Sequence, residues 1–399
     1  MFRELSLYGE RSESRVFAVR VVVLENTLSS ELGGQELSLF DVCEGLSKKG
    51  HQIVLLYVKD GDLLDRYKSF CVEVIRVGGY CFSKSHPILS FFQLLRDIFS
   101  IKTTSDTIIY ANQYLDSFFA ALFSKLKNCP FVCHLRLPPP DVFSRQYAFG
   151  LSKANTLIAV SRKTRKDYVE RGFKERSIQV IYNGIEVSRF PASENWRESR
   201  RGFGLPEKAF VVAYAGRLHP VKGVETLLNA FSKASIGSES RLIISGRAAV
   251  LVESDGKNRN YLAELKNYAK SLFIEDRVIW MDYCRNIPEL LGMSDVVVLP
   301  SLWSEPFGRI VIEALSCGVP VLASHVGGIP EILNGEFASF LFPPGNVEKL
   351  TELLNGMKDW RHRDPALGAR CREHVSSNFT IQKTTDQIEA VFLHALNNR

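Results

Sequence analysis

Two carboxylates stand eight residues apart in "SEPFGRIVIEALS": Glu305 ahead of an apolar run and Glu313 inside it. A carboxylate among Val311, Ile312, Ala314 and Leu315 needs a partner, because leaving it buried and unpaired costs several kcal/mol. Pro306 suits a first helical position, so the spacing predicts a helix that begins there with Glu305 at its cap. On such a helix Glu313 would lie about 12 Å along the axis and roughly 80° around it. The pair could then address different parts of one elongated ligand. The unpaired amides of Phe307 and Gly308 at the positive end would favour an anion such as a diphosphate. The competing reading makes Glu305 a simple cap and gives Glu313 a structural Arg.

A second constellation lies in "AYAGRLHPVKGVETLLNAF" (213–231), where a strand ends at Gly216 and Arg217 and Lys222 precede an amphipathic helix. An Arg fork and a Lys point charge on a strand-to-helix loop suit a diphosphate leaving group; the alternative for both is surface solvation. Gly33 and Gly34, in "LENTLSSELGGQELSLF" (24–40), form a loop that lets backbone approach a ligand closely. No G-x-G-x-x-G or Walker pattern occurs, which argues against dinucleotide oxidoreduction and P-loop phosphoryl transfer.

Such residues need strands and helices to hold them. Short β-branched runs alternate with helical patterns, as in parallel sheets with crossover helices. One series runs through 16–24, 51–58, 71–77, 106–112, 130–135, 155–161 and 178–184; the other through 209–216, 240–246, 276–281, 294–301 and 320–325. Between them, "EVSRFPASENWRESRRGFGLPEK" (186–208) has a linker's polarity and its Pro and Gly. The expected division is a first Rossmann-like domain at 1–190, a linker at 191–207, a second domain at 208–375 and a bracing helical segment at 376–399. Two such α/β domains create a cleft between the carboxyl ends of their sheets, and a split site of this kind suggests closure over its ligand.

A length of 399 residues, with 45% hydrophobic and 24% charged residues, fits two globular domains and excludes disorder or a fibrous repeat. Eight scattered cysteines without a C-x-x-C pair read as reduced, mostly buried thiols. No apolar run reaches the ~18 residues of a membrane span, and the charged start lacks a secretory apolar region, so a cytoplasmic protein is expected. A net charge of +6 without a basic block interleaved with aromatics gives no support to nucleic-acid binding.

Taken in order, "GGQE", "YNGIEVSRF", "GRLHPVKG", the Glu305-x7-Glu313 pair and "CGVPVLASHVGGIPEI" resemble the retaining glycosyltransferases of family 4, from about Val16 to the C-terminal helix. The resemblance implies the GT-B fold, an α/β architecture of two Rossmann-like doubly wound domains facing each other across a cleft. It implies transfer of a hexose from a nucleotide-diphosphate sugar, a UDP-sugar first among candidates, to a glycan or lipid-linked acceptor. It places Glu305 by the donor sugar, Glu313 on the ribose, Arg217 and Lys222 on the diphosphate, and Gly33 and Gly34 in the glycine-rich donor loop. His134, in "VCHLRLPPP", matches a catalytic position near the donor sugar, and Arg247, in "SGRAAV", one near the nucleotide. The chain departs from the family at "DYCRNI" (282–287), where a glycine-rich turn usually receives the base. A sugar-nucleotide epimerase of the same fold and a non-catalytic partner subunit are the alternative functions.

No cofactor or metal is expected, since Arg217, Lys222 and the helix start would supply the positive charge. The one D-x-D triplet, Asp60 to Asp62 in "KDGD", reads as a turn. In "SHPILSFFQLLRDIFSIK" (85–102), Ile88, Phe91, Phe92, Leu95, Ile98 and Phe99 repeat at helical spacing. The pattern predicts a core-facing helix; with Lys84 and Lys102 alongside, the alternative is a peripheral contact with a membrane carrying a lipid-linked acceptor.

Overall fold

The computed structural model describes residues 18–398, apart from residues 84, 193–195, 207, 249–250 and 253–257. Lys84 and the first two residues of the expected strand 16–24 therefore lie outside the described residues. Seven parallel strands form the first sheet: β1 (Arg20–Thr27), β2 (Gln52–Lys59), β3 (Glu73–Arg76), β4 (Thr107–Ala111), β5 (Phe131–Leu135), β6 (Thr156–Ala159) and β7 (Ile178–Val180). Their order is β3-β2-β1-β4-β5-β6-β7. Every residue of β4, β5 and β6 is buried, the two-sided burial that makes parallel strands read as unbroken apolar runs.

The second sheet is built from β8 (Val211–Ala215) and β9 (Arg241–Ser245), followed after a short antiparallel pair, β10 (Leu251–Val252) and β11 (Asn258–Arg259), by β12 (Val278–Met281), β13 (Val296–Leu299), β14 (Val321–Ser324) and β15 (Leu341–Phe342). Its order is β12-β9-β8-β13-β14-β15, all parallel. At two residues, β15 is too short for periodicity to reveal. In each sheet the chain reverses its direction of growth beside the first strand, β1 in one and β8 in the other. The carboxyl ends of β1 and β4, and of β8 and β13, thus open crevices for a ligand.

The chain crosses between the domains twice, side by side. The Ile185 amide donates to Phe379 O at 3.0 Å and the Ile381 amide to Ile185 O at 2.9 Å. Gly184 is required at this crossing, since a Cβ there would sit 2.2 Å from Thr380 O. The final helix, Ile381–Asn397, then returns to the first domain, where Ile388, Val391, Phe392 and Ala395 join the core of Val21, Leu39 and Val132. Phe392 meets Tyr110 edge-on at 5.3 Å, and Lys49 pairs with Asp386 and Glu389.

Two expectations need correction. The segment read as a polar linker contains a helix, Trp196–Gly202, whose Arg200 is buried, pairs with Asp295 at 2.7 Å and donates to Ala209 O at 3.0 Å. A charged residue that finds a carboxylate and carbonyls can be buried, so polarity alone mislabels it. The helix expected to face the core, Pro87–Ser100, instead buries only Leu94, Asp97 and Ile98. It exposes Ile88 at 73%, Leu89 at 68%, Phe92 at 63% and Phe99 at 60%. The eight cysteines form no disulfide among the described residues, and five of them are buried. No helix among the described residues is long and apolar enough to cross a membrane.

Candidate active site

A cavity of about 570 Å³ lies between the carboxyl ends of the two sheets and takes residues from both domains. On the second-domain side, Arg217 follows β8 in a loop fastened by Tyr214, whose hydroxyl donates to Arg217 O at 2.8 Å. Lys222 closes the turn Pro220–Lys222 and forms an ion pair with Glu305. Ser301 Oγ donates to the same Glu305 oxygen at 2.6 Å, and Lys222 Nζ lies 5.2 Å from the centre of the Trp303 ring. The pairing of β8 with β13 brings these two sequence motifs together.

The "GGIPEI" stretch serves this same loop. Gly328 donates its amide to Glu305 O at 2.8 Å, and a Cβ on Gly327, which has φ 59°, would sit 1.9 Å from that oxygen. Two glycines are therefore needed to let one backbone lie against another where Glu305 is presented.

The helix after Glu305 begins at Arg309 rather than Pro306, with Gly308 at its cap and at φ 98°. That positive φ turns the chain before the helix starts, so residues 305–308 form a loop and Glu305 is not the cap. The separation expected for eight helical residues does not apply. The amides of Phe307 and Gly308 lie in this loop, and both residues line the cavity. Glu313 lines it too, and its partner is a protein cation: Arg309 Nε donates to Glu313 Oε1 at 2.6 Å, while Arg309 Nη2 pairs at 2.8 Å with Asp41 of the first domain. Burial pushes the Glu313 carboxyl up and Arg309 pulls it back, leaving it raised. Glu313 Oε2 accepts no hydrogen bond among the described residues.

On the first-domain side, Gly33 and Gly34 line the cavity at the start of the helix Gly34–Lys48. A Cβ on Gly34 would meet Arg309 Cβ at 3.1 Å, so this glycine admits the second domain as well as a ligand. Arg247 stands at the cavity's rim, half exposed, bridging Glu31 of the first domain and Asp282 of the second. Tyr283 of "DYCRNI" donates to Ser30 Oγ at 3.0 Å, and the Ser30 amide donates to Asp62 at 2.8 Å. Asp62 thus organises a cavity loop, and Asp60 pairs with Arg76 at 3.3 Å. Away from the cavity, both Glu331 oxygens accept the amides of Arg162 and Lys163 at 2.8 Å, a second tie between the domains at the N-terminus of the helix Arg162–Glu170.

His134 is not brought to this site. It is fully buried in β5 and does not line the cavity; its Nδ1 lies 2.6 Å from Tyr110 Oη. Burial and the nearby Arg136 hold its pKa well below the ordinary value, so the ring is neutral. A strand residue inside the sheet cannot reach a cavity at the sheet's end. The residue that lines it is Arg136, just past β5, which sequence reasoning missed together with Glu25, Glu36 and Asn183. Burial pushes the Glu25 carboxyl up to about 8 and that of Glu36 up to about 7. The available signal was a polar residue closing an apolar strand run, as in "VVVLE", "CHLR" and "IYN".

Comparison with known proteins agrees with this architecture. Residues 32–189 match the model for Glycosyltransferase Family 4, and residues 195–370 match Glycosyl transferases group 1. N-acetyl-alpha-D-glucosaminyl L-malate synthase of Bacillus anthracis is 29% identical over 252 residues, 63% of this chain and 62% of that one. UDP-Gal:alpha-D-GlcNAc-diphosphoundecaprenol alpha-1,3-galactosyltransferase of Escherichia coli is 28% identical over 223 residues, 56% of this chain and 55% of that one. The chain thus spans little more than half the length of these curated relatives. Among solved structures, Anabaena HepE in complex with UDP and glucose superposes with a TM-score of 0.80 at 23% identity, covering 94% of this chain and 100% of that one. The two family models follow one another along the chain as the two domains do, one on each wall of the cavity, and by that agreement the protein belongs to the family 4, group 1 glycosyltransferases with the GT-B fold.

Proposed function

We propose that this glycosyltransferase moves a hexosyl group from a nucleotide-diphosphate sugar to an acceptor hydroxyl, with retention at the anomeric carbon and without a divalent ion. The observation that carries the reading is the juxtaposition of Arg217 and the Lys222–Glu305 pair on one wall with the Gly33–Gly34 helix start on the other. Cations and helix amides converge there on a space that suits a diphosphate. Glu313 Oε2 would take a ribose hydroxyl and Glu305 would face the sugar. As the bond from the anomeric carbon to the diphosphate oxygen breaks, Arg217, Lys222 and the amides stabilise the charge gathering on the leaving group. The acceptor oxygen bonds to the same face of that carbon, and its proton passes to the departing phosphate. A UDP-sugar is the favoured donor, in keeping with the UDP in the HepE crystal and the UDP-Gal of the E. coli relative's name.

The test is nucleotide release from UDP-, GDP- and ADP-sugars in the presence of chelator. Release from one donor, falling about 10²- to 10³-fold in Glu305→Ala and Lys222→Ala, is the expected result. Strict dependence on a divalent ion would overturn the metal-free mechanism, and an isomerised sugar nucleotide as sole product would make the protein an epimerase.

The proposed setting is cell-surface polysaccharide or glycolipid synthesis at the cytoplasmic membrane face. Ile88, Leu89, Phe92 and Phe99 form an exposed apolar row, with Lys127 Nζ 5.3 Å from the Phe99 ring centre. Apolar side chains beside a cation match an anionic bilayer. Replacing Phe91 and Phe92 by Ser should lower binding to phosphatidylglycerol vesicles by about tenfold or more while the protein stays folded. Unchanged vesicle binding would remove the membrane from the proposal.

A further inference from the structure

Arg136 is buried with 4% of its surface exposed, yet it lines the cavity. Its Nε donates to Asn112 Oδ1 at 2.5 Å, its Nη1 to Asn183 Oδ1 at 2.5 Å, and its Nη2 to Tyr110 Oη at 3.4 Å. All three acceptors are neutral. Among the described residues no carboxylate lies within ion-pairing distance of it, whereas buried Arg200 pairs with Asp295, and Arg309, with 9% of its side chain exposed, pairs with Asp41 and Glu313. A buried cation held only by neutral groups is destabilising unless an anion joins it.

The groups around it do not supply that anion. Glu25 is one hydrogen bond removed, accepting from Asn112 Nδ2 at 2.6 Å, and burial keeps it largely protonated at neutral pH. Glu36 senses both Arg217 and Arg136, but it forms an ion pair with neither among the described residues, and burial raises it to about 7. A guanidinium carries five N–H groups and three are used, leaving one on each terminal nitrogen. Two such donors in a planar fork suit the paired oxygens of a carboxylate or phosphate. On the proposed function, Arg217 and Lys222, which line the cavity on the opposite wall, take the donor's diphosphate.

We propose that Arg136 is the receptor for a second anionic group, a carboxylate or phosphate distinct from the donor's diphosphate, carried either by the acceptor or by the transferred sugar. This rests on reading the cleft as the donor and acceptor site, and it narrows the substrate class to one with an extra negative charge.

Two probes separate the sources. Inorganic phosphate is titrated into protein saturated with whichever of UDP, GDP or ADP it binds, and the affinity for UDP-glucuronate is compared with that for UDP-glucose. Wild type, Arg136→Gln and Asn183→Asp are measured; the last keeps the arginine and gives it an internal carboxylate, so the result does not hang on whether Arg136→Gln folds. Phosphate affinity falling at least about tenfold in the variants, with nucleotide affinity within about twofold, assigns the anion to the acceptor. A preference for UDP-glucuronate of about tenfold that collapses in the variants assigns it to the donor sugar. Indifference of both probes to Arg136 overturns the proposal, as does an equal loss of nucleotide affinity, which would return Arg136 to the diphosphate site. If no nucleotide binds at all, the donor reading fails instead, and phosphate titration of the nucleotide-free variants still judges Arg136.

Discussion

The two walls of the cavity treat charge in opposite ways. On the second-domain wall Lys222 is paired with Glu305, and Arg309 with Glu313 and, across the cleft, with Asp41. On the first-domain wall Arg136 and Glu25 are buried among amides and a phenol, with no ion pair among the described residues. Paired charges are stable as they stand, so a donor entering beside Lys222 must exchange one partner for another. Charges held by neutral groups wait for a ligand, or for a proton. The wall with paired charges therefore also holds the domains together through Arg309 and Asp41, and the proposal gives the other wall the setting of specificity.

The sharpest way to break this comparison is at Arg309. Arg309→Met would leave Asp41 and Glu313 facing each other without their cation, although Asp41 keeps Arg189 at 2.7 Å. Removing one member of a buried charge group typically costs about 3–5 kcal/mol, and that loss of stability in denaturant unfolding is the expected outcome. A loss under about 1 kcal/mol would mean that the bridge is a surface pair, and that the domains are held elsewhere, as at Glu331.

A pH-dependent effect is expected from Glu25 on the other wall. Its carboxyl titrates near 4.5 when unexposed to the fold and near 8 within it. Between those values the folded protein keeps a proton that the unfolded chain has released, so stability falls as pH rises. Glu25→Gln lacks this slope. Melting curves should show wild type losing ground to the variant between pH 4.5 and 8, at roughly 2–4 °C for each kcal/mol in a domain of this size. Parallel curves would show that Glu25 is ionised and compensated, and the contrast between the walls would dissolve.

The same contrast explains what was legible in the sequence. Glu305, Phe307, Gly308 and Glu313 fall within nine residues, and Arg217 and Lys222 within six, so local spacing displays them. Arg309 stands four residues before Glu313, so the structural Arg of the competing reading was within reach of local spacing; what spacing could not show was that the same Arg309 also pairs with Asp41, which comes from another domain. The first wall draws Glu25, Arg136 and Asn183 from the ends of β1, β5 and β7, with Asn112 from the end of β4 behind them, one residue each. Only strand adjacency collects them, and no run of sequence contains two. The alternation of strands and helices made the two sheets readable, but the burial of Arg200 and the exposure of Phe92 depend on tertiary partners that polarity does not encode.

The smallest expected effect comes from His134, where a sequence motif and the geometry point to different residues. The ring sits inside β5, neutral and bonded to Tyr110, which in turn accepts from Arg136. His134→Gln should therefore lower stability by about 1 kcal/mol through the lost hydrogen bond while leaving kcat within about twofold. Arg136→Gln, two residues on, should change substrate affinity instead. A hundredfold fall in kcat for His134→Gln at unchanged stability, on the order of a lost transition-state contact, would mean that the imidazole reaches the reacting sugar. In that case the first sheet would have to open at β5 during turnover, and its wall could no longer be treated as a fixed surface against which the second domain closes.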